Sequence, residues 1–173
     1  MADEKTRTLW DHITGEAFEG ELAGQMLDVW PISLTTVAAA LAKFSDIEIF
    51  LSHYKHPLSW FFRLTQRNKI NGSSFLPPRF RQSMSQEIDP RLPEMTQGLG
   101  VTAGYRGKFY PLQAIPKGSY IDDVWQKRPL RIERSELDGV PFARWQDSGE
   151  PPMQLLSRWY GFSFTYPKCD IYE

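Results

Sequence analysis

Cysteine occurs once in the 173 residues, at Cys169, and histidine only three times, at His12, His53 and His56. A single cysteine excludes an internal disulfide framework and any cysteine-only metal site within one chain. No apolar run reaches the roughly 20 residues that a membrane-spanning helix needs. The opening MADEKTRTLW lacks the apolar centre of a secretory signal peptide, so the chain as written is expected to stay in the cytoplasm. A net charge of −1 gives no global case for nucleic acid or membrane binding. No catalytic or cofactor motif rises above background, and the sequence therefore speaks about architecture more than chemistry.

One further absence is local. Between Glu48 and Glu87 there is no acidic residue, while Lys55, Arg63, Arg67, Lys69, Arg79 and Arg81 are all basic. Trp60, Phe61, Phe62 and Phe80 are interleaved with these cations, and Asn71-Gly72-Ser73-Ser74 and Pro77-Pro78 mark turn and extended backbone. The segment reads as a long connection with a one-sided charge.

What is present fits a globular protein. Hydrophobic residues make up 41% and aromatics 14%, enough for a well-filled core. Thirteen prolines and twelve glycines are spread along the chain, which indicates many turns between short elements. Thr14-Gly15 and Glu19-Gly20 bracket Glu16-Ala17-Phe18 as half of a β-hairpin, and Gly24 introduces a run that Pro31 stops. Leu34, Val37, Ala38, Leu41 and Phe44 then recur at helical spacing, which predicts a helix capped by Ser33 or Thr35 with these residues on its buried face. Ile47, Ile49 and Leu51 alternate with Glu48 and Phe50, as in a half-buried strand.

The C-terminus repeats that order. Leu155, Trp159, Phe162 and Tyr166 fall on one helical face before Pro167, and Asp170-Ile171-Tyr172 reads as a short final strand. Between these ends the pattern predicts a hairpin over 98–112 turning near Gly104 to Gly107, strands over 120–125, 130–133 and 142–145, and a hairpin turn at Asp138-Gly139. The expected fold is α+β and strand-rich. It comprises two related halves, 1–52 and 89–173, each ending in a helix followed by a short strand, joined by the connection 53–88 into one compact domain overall.

Several blocks together resemble a known family. Leu9-Trp10, Ile13-Thr14-Gly15-Glu16-Ala17, Gly20, Leu22-Ala23-Gly24, Asp89-Pro90-Arg91-Leu92-Pro93, Leu99-Gly100-Val101 and Tyr110-Pro111-Leu112 look like the domain of unknown function 3179, in order and over most of the chain. The resemblance implies no established activity. The family's usual members are longer, with an N-terminal part that carries a Cys-Pro-Leu-Cys motif and often an export signal. Cys169 lies in Pro-Lys-Cys-Asp and does not match that motif, so no redox or metal role transfers to it. Loss of that part favours a subunit or a non-catalytic copy.

The candidate chemistry is sparse. His53-x-x-His56 could offer two imidazoles to a transition metal, with His12, Cys169 or Asp170 as a distant third ligand, but loop histidines beside Lys55 are more often solvated. Cys169 as a nucleophile needs a lowered pKa and a base; Lys168 favours this and Asp170 opposes it. Asp122-Asp123 and Glu133 with Glu136 could pair for acid–base work or Mg²⁺, although adjacent acids on a turn are usually only solvated. Trp10, Trp30, Trp125, Trp145 and Trp159 read as core or interface anchors.

The basic connection could hold nucleic acid, yet the neutral total charge favours a protein partner with an acidic and apolar surface. Its contact residues would be Trp60, Phe61, Phe62, Arg63, Arg67, Lys69, Arg79 and Arg81. The expected function is a non-catalytic binding or assembly subunit of a larger complex, with no cofactor favoured. The alternative is a small metal- or redox-dependent enzyme using the histidine pair.

Overall fold

A tight loop around a buried threonine opens the fold. In the computed structural model, which describes residues 1–11, 14–28, 34–52, 81–85 and 87–173, the chain forms two compact units, Met1–Ser33 and Leu34–Glu173. In the first, β1 (Leu9–Trp10) pairs antiparallel with β2 (Ala17–Glu19). Strands of two and three residues cannot hold themselves, and side chains supply the rest. The Thr8 hydroxyl, fully buried, accepts from the Leu22 amide at 3.2 Å, and the Asp11 carboxylate accepts from the Thr14 amide at 2.8 Å. Gly20 lies beside Thr8 with φ 104°, where a Cβ would come within 2.5 Å of the Thr8 Cα, so only glycine fits.

The second unit begins with α1 (Val37–Lys43), capped by the Thr36 hydroxyl, which accepts from the Ala39 amide at 3.3 Å. Seven strands follow: β3 (Gln97–Ala103), β4 (Arg106–Pro111), β5 (Tyr120–Trp125), β6 (Arg128–Arg134), β7 (Pro141–Trp145), β8 (Met153–Arg158) and β9 (Asp170–Ile171). A second helix, α2 (Trp159–Thr165), lies between β8 and β9. One sheet has the order β8-β3-β4-β9, the other β5-β6-β7. The fold is α+β and strand-rich. The predicted hairpins hold: β3 and β4 meet across Gly104-Tyr105, and Asp138-Gly139 turns β6 into β7.

Period-two alternation gives the larger sheet two different faces. Leu99 and Val101 of β3 and Tyr110 of β4 point toward the second sheet, where they join Ile115, Trp125, Leu130, Ile132, Ala143 and Trp145 in one buried core. The opposite face carries Gly98, Gly100, Gly107 and Phe109, and α2 lies across it. A Cβ on Gly100 would overlap the Phe162 ring, and one on Gly107 would lie 2.8 Å from it. The glycines therefore make the trough that Phe162 fills, with Phe109 and Trp159 rings 5.2 Å apart beside it. Because β8 and β9 both run parallel to β4, the segment β8-α2-β9 is a crossover laid over that trough.

Three expectations are corrected. Leu155 belongs to β8, not to a helix: residues 153–158 pair with Thr102 through Gln97, and the helix starts only at Trp159. Residues 47–51 form no strand, since alternation alone supplies no ladder without a neighbouring chain. The helix-then-strand order is thus not shared by the two segments, and the related halves find no support. Third, the predicted buried face of α1 is exposed: Leu34, Val37, Leu41 and Phe44 face solvent, and only Ala39 and Ala40 pack inward. The cap is Thr36 rather than its neighbours Ser33 or Thr35. Thr35 instead donates to Asp138 at 2.5 Å, tying the start of α1 to the β6–β7 turn.

Candidate functional site

Three pairs of residues spaced by two converge between the sheets: Lys108 and Tyr110 on β4, Asp123 and Trp125 on β5, Asp170 and Tyr172 at β9. Lys108 sits opposite Asp170 in the parallel ladder, which fixes their neighbourhood through backbone register. Asp123 Oδ2 accepts from Lys108 Nζ at 2.6 Å and from the Tyr110 hydroxyl at 2.8 Å, while Trp125 Nε1 donates to Asp170 Oδ2 at 3.1 Å. The Lys108 ammonium also lies 5.6 Å from the ring centres of both Tyr110 and Tyr172.

The electrostatics lock these groups. Burial pushes the Asp123 carboxyl upward, but the hydrogen bonds from Lys108 and Tyr110 outweigh it and hold its pKa below the usual value. Tyr110 moves far up, first through burial and then through its bond to Asp123. At neutral pH the cluster is an ion pair with a phenol donor, already satisfied and with both side chains of the pair mostly covered. What it does is clamp β4 and β9 against β5.

The sequence-predicted acids do not pair. Neighbouring strand residues face opposite sides, so Asp122 turns outward to Arg131 at 2.7 Å and to Gln146 at 2.6 Å while Asp123 turns inward. Glu133 and Glu136 are exposed. Cys169 is buried, and desolvation pushes its thiol up to about 11, against the pull of Arg91; that is the reverse of an activated nucleophile. Trp10, Trp125, Trp145 and Trp159 are buried anchors as expected, and Trp30 lies outside the described residues. His12, His53 and His56 also lie outside the described residues, as do Trp60, Phe61, Phe62, Arg63, Arg67, Lys69, Arg79 and Phe80. Among the described residues no group of three or more His, Cys, Asp or Glu side chains could hold a metal, and no helix is long and apolar enough to cross a membrane. Arg81 is described, and it pairs with Glu94.

Two surfaces were missed by sequence reasoning. The clamp could have been found from its three i, i+2 pairs of one charged and one aromatic residue, once the strands were assigned. The other is the apolar stretch 34–51, whose spacing predicts a buried helix face and a half-buried strand. Val37 is 58% exposed, Leu41 53%, Phe44 52% and Phe50 wholly so, with Leu34, Ile47 and Ile49 exposed beside them.

The family blocks fall on scaffold positions. Trp10 and Gly20 organise the first unit. Asp89 and Arg91 form a two-toothed salt bridge, with Arg91 also donating to the Cys169 carbonyl at 2.9 Å and stacking over Trp159, whose indole donates to the Asp89 carbonyl at 2.8 Å. Leu99, Gly100, Val101 and Tyr110 build both faces of the large sheet. Residues 1–150 match the family described as Protein of unknown function (DUF3179). The chain belongs to that family. The match ends before β8, α2 and β9, the DUF3179 chain's own cover for its glycine trough. No curated protein and no solved structure is significantly similar to it.

Proposed function

We propose that this DUF3179 chain is a non-catalytic binding or assembly subunit of a larger protein complex. The observation that carries the reading is the exposed apolar stretch 34–51, in which eight large apolar side chains face solvent within eighteen residues. So many exposed apolar side chains in one stretch are uncommon on a monomer and support contact with a partner. The clamp and Cys169 support the same reading from the other side: the clamp's titratable groups are satisfied and the thiol is buried and kept protonated. The acid-free segment from Lys55 to Arg81 adds a sequence argument for a partner with acidic as well as apolar surface.

The test is a native pull-down of tagged protein, wild type beside Leu41→Ser with Phe44→Ser, and with metal analysis of the purified chain. The reading expects defined partners that the double variant loses. A stoichiometric transition metal that disappears on changing His53 and His56 to Ala would favour an enzyme and sink it.

A further inference from the structure

Backbone strain and unpaired charge coincide at one end of the two sheets. Among non-glycine residues with left-handed backbone, three of the four described lie there: Gln126 (φ 53°), Lys127 (φ 62°) and Lys168 (φ 63°). A two-residue hairpin turn ordinarily takes Asn-Gly, because a Cβ is disfavoured in this conformation. The neighbouring β3–β4 turn does use a glycine, Gly104 at φ 60°. At Lys127 and Lys168 long cations stand where glycine would be easier, and neither has an ion-pair partner among the described residues.

Geometry brings the tips together. Arg106 donates to the Gln126 side chain at 3.3 Å, joining the β3–β4 and β5–β6 turns. Lys168 lies in the turn two residues before β9, and because β9 runs parallel to β4 both strands start at this same end of the sheet. Tyr105, in the β3–β4 turn just before Arg106, is 80% exposed. The acids near this end are already engaged: Asp123 by Lys108, Asp170 by Trp125, and Asp147 by Arg128, which also feels Glu150.

We infer that Arg106, Lys127 and Lys168, at one end of the two sheets, form a docking surface for a short acidic segment of a protein partner. Three cations on three separate turns suit a few carboxylates. A nucleic-acid track would call for a longer row of cations with several stacking rings. This surface is distinct from the apolar stretch and does not depend on it.

Fluorescence anisotropy with a labelled decaglutamate peptide and, separately, a thymidine decamer tests the inference on the full chain. The peptide should bind at about 50 mM salt and weaken steeply at about 500 mM. Lys127→Gly with Lys168→Gly should weaken it by roughly tenfold or more, while Tm rises by about 1–3 °C because the strained turns relax. Lys127→Gln with Lys168→Gln keeps the strain, loses the charge and must weaken binding equally; it decides the matter if the glycine variant folds poorly. Undiminished peptide binding by the glutamine variant, no binding by wild type, or tighter binding of the decamer than of the peptide would each overturn the inference.

Discussion

The trough of the larger sheet and the helix α1 are built from similar material and end in opposite situations. Both present apolar side chains at regular spacing. In the trough, Gly98, Gly100 and Phe109 are buried, and α2 seats Phe162 against Gly100 and Gly107. Along α1 and its ends, the four large apolar residues at helical spacing, Leu34, Val37, Leu41 and Phe44, are all exposed. The difference lies in what surrounds each pattern. Glycines on two adjacent strands remove side chains and leave a slot, and the β8-α2-β9 crossover delivers the residue that fills it. Only Ala39 and Ala40 of α1 face inward, and small side chains allow a close approach without supplying much buried area. Apolar spacing identifies a face that could be covered; topology decides whether this chain covers it.

The sharpest way to break the comparison is to empty the trough. Phe162→Ala should cost about 3–5 kcal/mol, the range for truncating a fully buried aromatic, and a denaturant titration would read it directly. Gly100→Ala attacks from the other side: its new methyl meets the ring, and overpacking of this kind costs about 1–3 kcal/mol. The two should couple. With Phe162 already removed, the added methyl occupies vacated space, so the double variant should be more stable than the sum predicts by at least about 0.5 kcal/mol. Strict additivity would mean that the glycines are not there to admit the ring.

This asymmetry also explains what could be read from the residues. The hairpins were legible because turn chemistry is local: Gly104 and Asp138-Gly139 specify their turns without reference to anything distant. The helix around Trp159, Phe162 and Tyr166 was legible as a face, but not the point where it begins. Leu155 shares the helical spacing and is claimed instead by the ladder with Gly100, a partner fifty-five residues earlier. The clamp was hidden for the same reason, since Lys108, Asp123 and Asp170 meet only after three strands find their register. Cys169 looked open to either role, and only burial decided between them.

A middle-sized effect comes from the clamp. Lys108→Met keeps the stem but removes the ammonium, leaving Asp123 with Tyr110 as its partner, and should cost about 1–3 kcal/mol. Its pH dependence has a definite sign. The folded pKa of Asp123 is depressed, so its contribution is fully present above the unfolded value near 3.8 and disappears as pH falls through the folded value. Urea midpoints measured from pH 7 down to about pH 2 should therefore converge between wild type and variant at the acid end. A gap that stays constant with pH would show that packing of the lysine stem, not its charge, is what counts.

A smaller effect should follow from Asp138→Asn. Hydrogen bonding from Thr35 and from the Val140 amide lowers the Asp138 pKa to about 2, which keeps the carboxylate charged as an anchor for the start of α1. The group is largely open to solvent, so its loss should cost well under about 1 kcal/mol globally. Hydrogen exchange is the better measurement: amides of 37–43 should exchange faster in the variant while those of β3 and β4 stay unchanged. Equal protection in both proteins would show that α1 is held by something other than this turn.

A similarly small change in stability belongs to Leu41→Ser with Phe44→Ser. If these side chains were core, the pair would cost several kcal/mol, since truncating one buried leucine alone costs about 2–5 kcal/mol. Both are more than half exposed in the folded chain, so little apolar area is returned to water by changing them, and each substitution should stay within about 0.5 kcal/mol. Replacement of Leu41 by a weaker helix former adds only a few tenths of that. The melting temperature should therefore move by no more than about 2–4 °C, while any association that buries the stripe falls sharply. Thermal melts and size-exclusion chromatography on one sample read both quantities. A large drop in melting temperature would place the stripe in this chain's own core and remove the difference between α1 and the trough.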